Sequence, residues 1–230
     1  MPYKLNLRVG PLLALMALIV ACGSAAADPN QLLKDSAQAM SKVSTAQANV
    51  TFGPGATIQG FELQSATGTV KRPSDSQTLG KVKSNFGTIQ PELISVGGQT
   101  YLRQTQFLPW QKLTPDEAAA YPNAGRLLDA DHGVTAVLPK GTGAALAGSE
   151  SVDGHDCNKV TATFTPAALN DALAPVKITD AVKVTLWLDK ADKYVRRVRI
   201  TGHVFDPAAE SFVDVRIHDF NAAVTITAPG

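Results

Sequence analysis

The sequence predicts an α+β protein: one large antiparallel sheet with a few helices packed on one of its faces. Three observations lead there. Residues 46–103 and 149–220 show strand-like alternation broken by turn residues, while helical periodicity is confined to a few short segments. Strands and helices do not alternate as repeated βα units, which argues against a parallel, doubly wound sheet. Aromatic residues make up only 6% of the 230 residues, so the core has to be built from Val, Leu, Ile and Ala.

The first residues read as an export signal. A basic start with Lys4 and Arg8 leads into an apolar run from Pro11 to Val20, the layout of a secretory signal peptide. The run is roughly half the ~20 residues that span a bilayer. Ile19-Val20-Ala21-Cys22 resembles a bacterial lipobox, with cleavage after Ala21 and diacylation of the Cys22 thiol. The expected organisation is a signal peptide over 1–21, a lipidated tether over 22–28 and a single domain over 29–230. Two acyl chains make such an anchor stable, on the extracytoplasmic side of the cell membrane. The alternative is ordinary cleavage after Ala25 or Ala27, which would discard Cys22.

A helix is expected from Pro29 to Thr45. Asp28 stands at its N-cap, Pro29 fits the first turn, and Leu32, Leu33, Ala37, Met40 and Val43 share one face. Gly53-Pro54-Gly55 then separates two strands. Thr57 to Lys71 is expected as one long strand with Gly60 as a bulge, followed by a turn at Pro73-Ser74-Asp75 and a strand over 77–84. Val96-Gly97-Gly98-Gln99 is a hairpin signal, because Gly-Gly suits a two-residue primed turn. That turn sets Glu92 opposite Arg103, Leu93 opposite Leu102 and Ile94 opposite Tyr101, so both faces of the hairpin need cover. A short strand over 110–113 follows. Thr114-Pro115-Asp116-Glu117 has the form of a capping box, and helical patches are expected over 123–129 and 131–138.

Strands return at 149–152 and 158–164, around a turn at Asp153-Gly154. Thr165 caps a helix over 166–173. Val182, Val184, Leu186 and Leu188 alternate with Lys183, Thr185 and Trp187, and Tyr194, Val198 and Ile200 with Val195, Arg197 and Arg199. Pairing Leu188 with Tyr194 sets Val184 beside Val198 and Val182 beside Ile200. Val213, Val215 and Ile217 share one side of a strand over 212–220, and 224–227 is expected as a final short strand.

Several chemistries find no motif. The net charge is +1 and the basic residues are scattered, so nothing points to nucleic acid. The glycines do not form a phosphate loop, and no GxSxG, HExxH or CxxC occurs. With Cys22 acylated, Cys157 has no partner for an intramolecular disulfide. Its neighbour His155 suggests a thiol nucleophile or half a metal site only weakly. His132, His155, His203 and His218 follow no common spacing. No catalytic residue, metal ligand or cofactor is therefore expected, and the chain is read as a non-enzyme.

Four segments carry a resemblance. Leu127 to Val134 (LLDADHGV), Gly148-Ser149-Glu150 with Val152-Asp153-Gly154, Thr185 to Asp189 (TLWLD), and Asp219-Phe220-Asn221 through Ile226 occur in the order seen in the LppX/LprA/LprF/LprG family of bacterial lipoproteins. The chain resembles this family over about 29–228. Ala130 stands where the family has proline, and 104–125 matches loosely. The resemblance implies a curved, open half-barrel like that of the LolA/LolB carriers, with helices on the concave side around a hydrophobic cavity. It implies binding of acylated lipids or glycolipids and their carriage across the cell envelope, by a monomer working with a membrane lipid exporter. A second reading is an envelope sensor or structural lipoprotein that uses the same fold to bind a protein. The expected cavity lining is Phe61, Leu63, Leu93, Leu102, Val184, Leu186, Val198 and Ile200 from the sheet, and Leu33, Met40, Leu127, Leu128, Val134, Val137 and Leu138 from the helices.

Overall fold

The structure, a computed structural model, describes Met1 and residues 27–85 and 87–230. The signal peptide, the Cys22 lipobox and most of the tether lie outside the described residues.

Helix α1 (Pro29–Met40) is followed by eight strands: β1 (Thr45–Phe52), β2 (Thr57–Ile58), β3 (Phe61–Lys71), β4 (Asp75–Ser84), β5 (Gly87–Ile89), β6 (Glu92–Val96), β7 (Gln99–Arg103) and β8 (Gln111–Leu113). A helical segment comes next, with α2 (Pro115–Ala118), a 3-10 turn at Ala124–Leu128, α3 (Val134–Val137) and a 3-10 turn at Leu138–Lys140. The chain ends with β9 (Thr142–Val152), β10 (His155–Phe164), α4 (Pro166–Leu173), β11 (Val182–Asp189), β12 (Val195–Asp206) and β13 (Ala209–His218).

All thirteen strands join one antiparallel sheet, in the order β8-β7-β6-β4-β3-β1-β13-β12-β11-β10-β9, with β2 on β3 and β5 on β4. The sheet is not closed, because β8 and β9 each pair on one side only. Two meanders, β1–β8 and β9–β13, are welded by the pairing of the first strand with the last, Val50 opposite Val215.

The core lies on the concave side. Leu32, Leu33, Ala37 and Met40 of α1 pack there with Leu128, Leu138, Leu169 and the inward aliphatics of β9–β13. The Asp28 carboxylate accepts the Asn30 N–H at 3.0 Å, as the cap position requires. The helix stops at Met40, five residues before the expected end. Tertiary partners take over the backbone beyond it: the Asn221 side chain accepts the Ser44 N–H at 2.8 Å, and Arg72 donates to the Val43 carbonyl at 2.6 Å. Thr45 is by then paired with Lys71.

Other expectations are also corrected. Gly60 is no bulge. Gln59 and Gly60 take left-handed φ of 49° and 81°, and the chain reverses there into a hairpin that pairs Ile58 with Phe61. Leu188 pairs with Val195, so Val184 faces Ile200 and Leu186 faces Val198. A bulge inserts Arg196, whose guanidinium contacts buried Asp189 and Asp192. Thr165 precedes α4 but makes no side-chain cap bond. The strand expected at 149–152 begins at Thr142, and residues 224–227 form no strand, although Ile226 is buried. The Gly-Gly hairpin has the expected register, with Glu92 opposite Arg103.

Candidate functional site

Cross-strand partners lie side by side on one face, so pairing assigns the concave surface row by row. One row runs Gly80–Ala66–Val50–Val215–Val198–Leu186–Val160 across six neighbouring pairs of strands. Every side chain in it is apolar. The next row toward the β1 C-terminus runs Phe52–Val213–Ile200–Val184–Ala162.

Two apolar cavities sit on this surface, both partly open to solvent. The first, of about 110 Å³, lies over the β1–β8 half. Its wall includes Phe52, Ile58, Phe61, Leu63, Ala66, Gly80, Val82, Ile89, Pro91, Leu93, Leu102, Tyr121 and Pro122. The second, of about 150 Å³, lies over the β9–β13 half. Leu127, Val134, Val137, Leu138, Phe164, Leu169, Leu173, Val184, Leu186, Val198, Ile200 and Val215 line it. The two share no lining residue. In the first row only Val50 stands between Ala66 of one cavity and Val215 of the other. In the second only Val213 separates Phe52 from Ile200. The Phe52 ring is itself held by Phe205, edge-on at 6.3 Å between centroids.

The helical segment forms the cover, and its sequence shows how it is held. The Asp129 carboxylate accepts the N–H groups of Asp131 and His132 at 2.8 Å each and faces the His132 ring at 3.1 Å. Burial by itself pushes this carboxyl up, but those hydrogen bonds win and leave it below its ordinary range. Gly133 follows in a corner without room for a side chain: a Cβ there would stand 2.4 Å from the Arg126 carbonyl oxygen. This knot delivers Val134 and Val137 to the second cavity. Over the first, Asn123 caps the next turn through the Gly125 N–H at 2.9 Å, and Gly125 lies so close to the Ser74 carbonyl that only glycine fits. Tyr121 and Pro122 are held against the sheet there.

Of the residues expected to line a cavity, Phe61, Leu63, Leu93 and Leu102 come together in the first. Leu127, Val134, Val137, Leu138, Val184, Leu186, Val198 and Ile200 come together in the second. Leu33, Met40 and Leu128 are in the packed core, on neither wall. Sequence reasoning passed over Phe164, Leu169, Leu173 and Val215. A signal existed for three of them, since Leu169 and Leu173 are four apart on a helix and Val215 alternates with Val213 and Ile217.

The convex face is polar and tied together in its β9–β13 half. Asp214, nearly buried, receives Arg197 at 2.7 Å and Arg199 at 3.0 Å. Burial favours its protonation, yet the two guanidinium groups outweigh burial and hold its pKa low. Trp187 is covered by Lys159 and Arg197, 5.1 and 4.4 Å from its ring centroid, and packs with Val152 and Cys157. Burial and then the charge of Asp189 push the Cys157 thiol up to about 11. Its thiolate is therefore scarce at neutral pH, which removes the nucleophile reading. His155 is 2.9 Å from Asp189, and His218 is 3.0 Å from Asp219. Among the described residues no His, Cys, Asp and Glu group has the makings of a metal site, and no helix is long and apolar enough to cross a membrane.

Comparison with known proteins agrees with this geometry. The family model of the LppX_LprAFG lipoproteins matches residues 28–226. A relative from Mycobacterium tuberculosis, named putative diacylated glycolipid transporter LprF, is 25% identical over 215 residues, covering 90% of this chain and 80% of its own. The lipoarabinomannan carrier protein LprG of Mycobacterium leprae is 20% identical over 221 residues, covering 93% and 90%. The crystal structure of LprF from Mycobacterium bovis superposes with a TM-score of 0.70 at 21% identity, covering 87% of this chain and 96% of that one. That of the Mycobacterium tuberculosis lipoprotein LppX gives 0.61 at 16%, covering 86% and 98%.

The chain belongs to the LppX_LprAFG lipoprotein family.

Proposed function

We propose that this family member binds the acyl chains of a lipid or glycolipid against its concave face and carries that lipid across the cell envelope. In this reading residues 29–230 act as one lipid-binding domain. It is tethered through 22–28 to a diacylated Cys22 on the extracytoplasmic side of the membrane, with 1–21 removed as a signal peptide. The protein works as a monomer and exchanges cargo with the membrane or with a membrane lipid exporter.

One observation carries the reading: two cavities with almost wholly apolar walls lie along one apolar row, divided in that row by Val50 alone. Burying a methylene is worth about 0.8 kcal/mol. A chain of about sixteen carbons laid along the row then gains about 12 kcal/mol gross, which must exceed an association cost of roughly 4–15 kcal/mol. Across that range a single chain goes from well bound to slightly short of binding, and a second chain makes binding favourable throughout, so a lipid with more than one chain is the better cargo. As they stand, cavities of about 110 and 150 Å³ fall below the roughly 300 Å³ of a typical ligand pocket, so binding has to widen them. The cover is suited to that. Helix α3 spans four residues, none of them buried, and faces the second cavity with half-buried Val134 and Val137.

The test is lipid uptake by the protein and by Val137→Trp and Leu93→Trp, one for each cavity. Both variants are expected to retain the thermal transition and to lose tenfold or more of the bound lipid. Unchanged uptake in both would reject the site.

A further inference from the structure

Seven residues between β7 and β8, Gln104 to Trp110, leave large apolar groups in water. Phe107 is 87% exposed and Leu108 49% exposed. Apolar residues standing singly on a surface need no account. These two are adjacent, on a turn closed by the Leu108 N–H to the Thr105 carbonyl at 3.1 Å, with Trp110 just behind under the Arg103 guanidinium at 4.7 Å. The loop also starts beside the first cavity. Its first residue, Gln104, lines that cavity, while Phe107 borders a groove on the convex side with Leu79, Glu92 and Arg103; Ile89 is common to both.

We infer that this loop docks the protein on a lipid surface, inserting Phe107 and Leu108 among the head groups at the edge of the sheet beside the first cavity. The purpose assigned to the contact rests on the carrier reading; the contact itself rests on the exposed side chains. A lipid surface suits the shape and the size of the patch. An aromatic side chain buries about 150–250 Å², so Phe107 with Leu108 falls well short of the about 1,000 Å² of a stable protein–protein interface. Insertion of two side chains at a loop tip needs no such area, and Trp110 beside Arg103 is the amphipathic pairing found at membrane–water interfaces.

Two readouts on the full chain test this. The first is amide hydrogen exchange over 104–110 with and without phosphatidylcholine vesicles. Protection of the loop, lost in the Phe107→Asp/Leu108→Asp double variant, is expected; no protection in the unaltered chain overturns the inference whatever the cargo. The second is transfer of a fluorescent diacylglycerolipid from loaded protein to the same vesicles. The double variant is expected to load normally and to transfer at least tenfold more slowly, and transfer within twofold of the unaltered rate overturns the inference. A chain that accepts no lipid yet is protected at 104–110 would retire the carrier reading and leave the docking loop standing.

Discussion

The two halves of the sheet are built from the same kind of strand and bury very different amounts. The β9–β13 half is backed by branched aliphatics: Val160, Val184, Leu186 and Ile200 are nearly fully buried under α1, α3 and α4. Its convex face is bound by the Asp214–Arg197–Arg199 and Asp189–Arg196 clusters. The β1–β8 half has a low floor of Gly80, Ala66, Gly68 and Thr78, and its cover is the Tyr121–Pro122 stretch with the 3-10 turn at Ala124–Leu128. Its convex face carries the exposed pair of Lys83 and Glu62 at 3.8 Å. Both halves leave space, about 150 Å³ over β9–β13 and about 110 Å³ over β1–β8, but only the β9–β13 half sets that space in a continuous buried core backed by paired charges.

The largest expected effect is at the rigid half. Asp214→Ala leaves two arginines without their nearly buried partner, and breaking such a cluster costs about 3–5 kcal/mol. Chemical denaturation of the variant checks this. A loss below about 1 kcal/mol would mean that the cluster does not hold this half.

Leu186→Ala and Leu63→Ala compare the halves directly. Leu186 is 2% exposed and its truncation should cost about 3 kcal/mol. Leu63 is half-exposed and should cost about 1 kcal/mol, while lowering lipid uptake. Equal losses of stability would erase the distinction between the halves.

Acid should act through the same residues. Asp189 and Asp214 both have folded pKa values below the ordinary carboxylate value. Their contribution is fully present above about pH 4, the unfolded pKa, and is lost as the pH falls through the lower folded values. Unfolding free energy measured from pH 6 downward should decline in that acid range, and less steeply in Asp214→Asn. The smallest effect is expected at Lys83→Ala, below about 0.5 kcal/mol, because that ion pair is solvated.

What could be read in the sequence follows the range of the determining forces. The Gly97-Gly98 turn fixes its own register because both residues take left-handed φ, 57° and 76°, and the strands follow. The alternation of Val184, Leu186, Val198 and Ile200 placed them on the concave face, where they line a cavity. Their exact pairing was not legible, because the Arg196 bulge depends on Asp189 and Asp192 closing around a guanidinium. Gln59-Gly60 is a turn signal inside a strand-like run, and only the pairing of Ile58 with Phe61 decides between hairpin and bulge. Leu33 and Leu186 look alike in sequence and are equally buried, 2% exposed each; only Leu186 also borders a cavity. The division into two cavities has no local signature at all, since it depends on Val50 lying between strands far apart in the chain.

The central claim is that lipid occupies the concave face. The most direct measurement is native mass spectrometry of the protein gently purified from its own host. The account predicts an added non-covalent mass that extracts into organic solvent, fragments as a lipid with at least two acyl chains, and is absent from Val137→Trp and Leu93→Trp. A bare protein mass, with no uptake from offered lipids, would contradict it.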